Sequence, residues 1–189
     1  MVIGAKVMKK IFLLPLFVLL LFALLSSRCS DSIISPINEN NLIPNPSFEL
    51  NGVSTVAFWF VNMPSLVNFT NDTPPNGGNW AISIDVLWGS GNDVITTILI
   101  PEGTHIYKFS FWSKYSNKPG YAELLLDAQD SLYQINRTNV DSESWKNYSI
   151  LDTISSVSGD SLQIKLSGGF SNLLPGKTYF DLCTLELLE

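Results

Sequence analysis

The sequence predicts an all-β fold built from antiparallel strands, and two patterns carry that prediction. The first is alternation with period two. "WAISIDV" (80–86) separates Trp80, Ile82, Ile84 and Val86 from Ala81, Ser83 and Asp85. "YKFSFWSKY" (107–115) separates Tyr107, Phe109 and Phe111 from Lys108, Ser110, Trp112 and Lys114, and "SLQIKLS" (161–167) sets Leu162, Ile164 and Leu166 opposite Gln163 and Lys165. Successive side chains on a strand point to opposite faces, so each run reads as a strand with one face against a core. The second pattern is punctuation by "TPPNGGN" (73–79), "GSGND" (89–93), "PEGT" (101–104), "NKPG" (117–120), "SSVSGD" (155–160) and "LLPGK" (173–177). Pro presets one backbone angle and Gly admits positive φ, so these clusters stop strands. Between them lie four further runs, "VITTILI" (94–100), "YAELLLDA" (121–128), "WKNYSILDT" (145–153) and "TYFDLCTLEL" (178–187). No helical stripe and no internal repeat appears beyond Asn41, and many short strands at this spacing imply a sandwich or a barrel.

The chain ahead of these strands has a different character. Lys9 and Lys10 precede an apolar run of 15 residues, Ile11 to Leu25, which is short of the roughly 20 needed to span a bilayer as a helix. A basic flank and a short apolar stretch read as a secretory signal over residues 1–29. Its end, "LLSSRCS", resembles a bacterial lipoprotein signal in which Cys29 is acylated, although Arg28 stands where that pattern has a small residue. Lipid attachment at Cys29, plain secretion and an uncleaved anchor all remain open at this stage. Residues 30–40, "SDSIISPINEN", are polar and without period, and read as a tether that holds a domain of 41–189 off a membrane. The implied location is the cell envelope, as an outer-membrane lipoprotein.

Residues 1–28 hold four basic residues and no acid, so seven of the 11 basic and all 17 acidic residues lie beyond them, a formal charge of −10. Such a surface repels phosphate backbones and argues against nucleic acid as a partner. The two cysteines are Cys29 and Cys183. Cys183 sits in an apolar run and reads as a small buried hydrophobe.

The stretch "NLIPNPSFELNG" (41–52), followed by Trp59, resembles the opening of carbohydrate-binding modules of the galactose-binding-like jelly roll, the kind attached to bacterial glucanases and xylanases. Four more segments resemble that family in order: "NGGNWAISI", "IPEGTHIYKFSFWSKYS", "SESWKNYSI" and "KTYFDLCTLELL". The resemblance spans about 41–188 and implies an antiparallel β-sandwich of jelly-roll type. It also implies a structural calcium ion held by the Glu of the opening motif and an Asp of the last strand, here Glu49 and Asp181. Calcium takes six to eight oxygens, so two carboxylates need loop carbonyls beside them, and "PNGGN" (75–79) is a candidate source. Pro46 and Leu182 depart from the family pattern, where Gly and a second Asp are usual. The plainer reading of Glu49 and Asp181 is as strand-end caps that accept backbone amides.

A sugar-binding face needs exposed aromatic platforms with directed hydrogen-bonding groups beside them. Trp59, Trp145, Tyr107, Phe109 and Phe111 align with packing positions and are expected in the core. Trp88, next to the turn "GSGND", and Trp112, opposite Phe109 and Phe111, are the platform candidates. Tyr121, Glu123, Gln163 and Lys165 are expected to share a face with Trp112, along with Lys108, Lys114 and Asp127. The alternative for that set is a solvated outer sheet face.

Catalysis has little support. His105 is the single His, in a turn, with no nucleophile context beside it, and no phosphate-binding glycine loop is present. The expected function is therefore non-catalytic glycan binding at the cell envelope, with a membrane contact through the lipid anchor. The alternative is a structural or adhesive domain of the same fold that contacts an envelope protein.

Overall fold

The computed structural model describes residues 40–87, 91–129, 131–169 and 175–188. Twelve strands follow in chain order: β1 Glu49–Leu50, β2 Val53–Ser54, β3 Phe60–Val61, β4 Val67–Thr70, β5 Ala81–Val86, β6 Asp93–Leu99, β7 Gly103–Ser116, β8 Tyr121–Ala128, β9 Ser131–Asn139, β10 Lys146–Ser156, β11 Ser161–Ser167 and β12 Gly176–Leu187. One 3-10 turn, Pro64–Leu66, precedes β4. The first sheet has the order β10-β7-β12-β5-β4 and the second β3-β6-β11-β8-β9, with β1-β2 a separate hairpin. All the pairings are antiparallel. The expected antiparallel sandwich is the fold observed.

Alternation places the core between the sheets. Tyr107, Phe109 and Phe111 point inward from β7, Ala122 and Leu124 from β8, Leu162, Ile164 and Leu166 from β11, and all are fully buried. Phe111 stacks on Phe109 at 5.1 Å and on Tyr148 at 5.4 Å, and meets Phe180 at 6.0 Å. Truncating such a ring loses its transfer energy and leaves a cavity, so Phe111→Ala should cost about 3–5 kcal/mol. Urea unfolding of the variant checks this through the shift of its midpoint. Cys183 is buried, as expected, and burial holds its thiol well above the usual range.

Trp145 does not join the core. Tyr148, Ile150 and Ile154 are the inward residues of β10, all even-numbered, and Trp145 has the opposite parity. It stands half-buried just before the strand begins. β12 shows a related effect. Thr178 and Phe180 point inward, then a bulge between Asp181 and Thr184 shifts the parity so that Cys183 and Leu185 point inward. Leu182, at the bulge, takes a φ of 48°.

The chain start runs beside this last strand. Leu42 N–H donates to Leu185 O at 2.8 Å, Cys183 N–H to Pro46 O at 2.8 Å, and Leu185 N–H to Asn41 Oδ1 at 2.9 Å. The opening motif then turns into the sandwich. Phe48 is fully buried against Trp59, with ring centroids 5.1 Å apart, and Trp59 Nε1–H donates to Asn45 O at 2.9 Å. Phe48 inward leaves its neighbour Glu49 at the surface of the first sheet.

Candidate functional site

Two places gather chemistry. The first lies on the outer face of the first sheet, beneath the connection between β4 and β5. Asp181 and Trp112 are cross-strand partners, so Asp181 points outward from β12, yet it is completely buried. The cover is the 71–79 segment. A Cβ on Gly77 would stand 2.5 Å from Asp181 Oδ2, and one on Gly78 would overlap Glu49 Oε1. Consecutive glycines therefore rest on the two carboxylates, and the side chains expected to share a calcium ion are brought together. The segment is fastened at both ends. Asn79 N–H donates to Glu49 Oε2 at 3.0 Å, while Asp72 accepts from Lys114 Nζ and, at 3.1 Å, from Trp145 Nε1–H. The Lys114 hydrogen bond comes first among the contacts that hold the Asp72 carboxyl below its usual range, and burial opposes it.

The Asp181 carboxylate accepts Leu182 N–H at 2.7 Å through Oδ1, and Oδ2 is buried without a partner. Burial, opposed by the Leu182 amide and reinforced by the Glu49 charge, pushes its pKa up to about 9. A buried carboxylate oxygen with no donor is the environment a cation corrects. Among the described residues no group of three or more His, Cys, Asp or Glu converges, so Glu49 and Asp181 are the acidic donors here. The donor set fits calcium if carbonyls complete it. Capping accounts for one oxygen of each carboxylate and leaves Asp181 Oδ2 unexplained. Gly78 has a φ of +70°, so Gly78→Ala combines backbone strain of about 1–2 kcal/mol with a clash on Glu49. The variant should melt several degrees lower by differential scanning calorimetry.

The second place is the outer face of the second sheet. Tyr121, Glu123 and Asp127 point outward from β8, and Gln163 and Lys165 from β11, where Lys165 and Glu123 are direct cross-strand partners. The expectation that this set shares a face with Trp112 is corrected. Trp112, Lys108 and Lys114 belong to β7 in the first sheet, on the other side of the sandwich. Alternation assigns a side chain to in or out, and every outward set in a two-layer fold looks alike in sequence whichever layer carries it. Trp88 and Cys29 lie outside the described residues.

The outward face of β8 and β11 is organised by charge. Glu123, only 5% exposed, lies 3.2 Å from Lys165 Nζ and 3.7 Å from Arg137. Lys165 also reaches Asp93 at 3.7 Å. Burial works against the Lys165 ammonium, but Asp93 and Glu123 outweigh it and hold the group above its usual range. The Arg137 guanidinium lies 3.4 Å over the centre of the Tyr121 ring. Guanidinium and ring form a cation–π platform, with the Lys165 ammonium 5.5 Å from the centre of the same ring. Beside it a groove of about 710 Å³ is lined by Tyr115, Pro119, Gly120, Tyr121, Arg137, Asn139, Val140, Asp141 and Gly169. At the far edge of the same face, Phe60 pairs with Ile95, a partner of Lys165, and is 66% exposed.

Arg137, Asn139, Tyr115 and Asp141 were not anticipated. Arg137 and Asn139 belong to β9, which the alternation rule passes over. It is an edge strand with Leu132 and Tyr133 largely exposed, and a bulge opposite Leu124 and Leu125 breaks its period. The β-branched and aromatic residues of "SLYQINRTN" were the available signal.

No family model matches the chain, and no curated protein matches it. Solved structures do. The chain is similar to TmCBM61, solved in complex with β-1,4-galactotriose, with a TM-score of 0.54 and 18% identity over 78% of this chain and 98% of that one. It is similar to a family 16 carbohydrate-binding module, with a TM-score of 0.54 and 20% identity over 77% and 99%. The shared feature is the jelly-roll sandwich. The enzymatically active domain of bacteriophage CBA120 tailspike protein 4 also matches, with a TM-score of 0.60 and 14% identity over 79% of this chain, which spans only 22% of that protein.

Proposed function

We propose that this protein is a non-catalytic glycan-binding module whose site is the Tyr121–Arg137 platform and the groove beside it. The observation that carries the reading is the platform itself. The Arg137 guanidinium, which covers the Tyr121 ring, offers a sugar a delocalised cationic surface with N–H donors, and Asn139 and Asp141 supply further donors and acceptors beside it. A volume of about 710 Å³ lies within the range of roughly 300–1,000 Å³ typical of ligand pockets. Asp141 is fixed for this role. Its carboxylate accepts from Lys146 and from the Tyr148 hydroxyl, both at 2.8 Å, and these contacts hold it below the usual range, which suits an acceptor and not a general acid. Gln163, Glu123 and Lys165 extend the polar surface from the platform along the sheet.

Calcium belongs to this reading as a structural ion. Glu49 and Asp181 would hold it and it would tie the first strand to the last under the 71–79 segment. The leader is proposed to end in lipid-modified Cys29, which places the module at the cell envelope; incorporation of a labelled fatty acid that is lost in Cys29→Ser tests this.

A protein-binding, adhesive role is the second reading. It is favoured by Phe58 and Phe60, which are 64% and 66% exposed on either side of buried Trp59, with Phe58 at a φ of 69°. A glycan array probed with the full chain and with Tyr121→Ala separates the two. Glycan binding that is lost in the variant supports the first reading, and an array with no signal for the folded protein supports the second.

A further inference from the structure

We infer that the groove beside Tyr121 is one half of a longer binding track that crosses the rim of the sandwich and ends at Tyr179 on the first sheet. The inference rests on the glycan-binding reading and adds the length and course of the ligand. A second groove, of about 280 Å³, is lined by Lys114, Tyr115, Ser116, Asn117, Glu143 and Tyr179. Tyr115 lines both grooves. Both also lie between the same two connections, the turn from β7 to β8 and the segment from β9 to β10.

These connections are bound to each other. Tyr115 N–H donates to Ser142 O and Val140 N–H to Gly120 O, each at 3.0 Å. Gly120 is packed too closely for any side chain, since a Cβ there would overlap Ser167 O and stand 2.7 Å from Thr178 Oγ1. The track is thus formed before a ligand arrives, which lowers the ordering cost of binding.

Its far end repeats the chemistry of the near end. Lys114 Nζ sits 5.0 Å from the Tyr179 ring and 5.1 Å from the Trp145 ring, and those two rings meet edge to face at 6.3 Å. An aromatic surface carrying a cation therefore stands at each end, with Asp141 and Glu143 on the wall between. The lining is rich in hydroxyl, amide and charged groups, which suits a hydroxylated chain and not an apolar peptide. The smaller groove falls just below the usual size of a self-sufficient pocket, as a subsite does.

The test is isothermal titration of the full chain with β-1,4-linked galacto-, xylo- and gluco-oligosaccharides of two to six units. For the series that binds, the pentamer should bind at least about tenfold tighter than the dimer. In Tyr179→Ala and in Glu143→Ala, a surface change with little bearing on folding, the pentamer-to-dimer ratio should collapse towards one. Equal affinity for dimer and pentamer in the unaltered protein overturns the track and leaves the Tyr121 site standing. Equal losses for both lengths in the two variants also overturn it, because the smaller groove would then not be a separate subsite. Absence of binding by every series, with the fold verified by circular dichroism, overturns the track together with the glycan-binding reading.

Discussion

In a chelating buffer the protein should melt at a lower temperature at pH 8 than at pH 5, and added calcium should remove the difference. Asp181 is the cause. Its ordinary value is 3.8, and burial together with the Glu49 charge pushes it up to about 9 in the folded protein. Between those values the folded state keeps a proton that the unfolded chain releases, so stability falls as pH rises through that window. One unit of pH is worth at most about 1.4 kcal/mol for a single group, and the three units from pH 5 to 8 therefore cost up to about 4 kcal/mol. In a domain of this size each kcal/mol moves the melting temperature by roughly 2–4 °C. Asp72 and Asp141, whose values are lowered, are already ionised at pH 5 in both states and do not contribute to the slope. Calcium bound there would reverse the effect because a divalent ion favours the charged carboxylate. Asp181→Asn should abolish both the slope and the calcium response. A chelated protein that melts at the same or a higher temperature at pH 8 contradicts the assignment, as does a melting curve that calcium leaves unmoved.

Removing the platform produces the other large effect. Hydrogen bonds to a charged group contribute about 1.5–3 kcal/mol, so Arg137→Ala should weaken glycan binding roughly ten- to a hundredfold. Tyr121→Ala should lose at least as much, since it removes the ring and the surface that orients Arg137. Glu123 keeps Lys165 as a partner at 3.2 Å when Arg137 is gone, so its buried carboxylate is not left unpaired, and circular dichroism of the variant checks the fold. Trp112→Ala, on the other sheet, should leave affinity for a dimer at the Tyr121 site within about twofold, because that site lies on the opposite layer. Titration calorimetry of the three variants measures all of this. A loss confined to Trp112→Ala would return the site to the first sheet.

What is legible in the sequence is what local pattern fixes. β7 and β11 announced themselves by alternation because one face of each meets the core and the other does not. The meeting of Glu49 and Asp181 was legible through motif order, since it depends on the first and last strands being neighbours, and the Asn41, Leu42 and Pro46 hydrogen bonds to β12 make them so. What stayed hidden was anything set by the pairing of layers. Trp112 and Tyr121 both read as outward, and the strand orders alone put them on opposite sheets. Trp145 aligns with a packing position of its motif, yet the parity of Tyr148 and Ile150 points it outward. β9 was silent because a bulge and an exposed edge remove the two signals on which the reading depends, and Arg137 was lost with it.

An amide chemical-shift titration of the isotopically labelled protein with the strongest binder from the glycan array locates the ligand directly. Saturable shifts are expected at Tyr115, Tyr121, Arg137, Asn139 and Asp141, with the outward residues of β4 and the far half of β10 unmoved. Shifts confined to the Trp112 and Asn147 face, or none at a saturating glycan concentration, would contradict a glycan site at Tyr121.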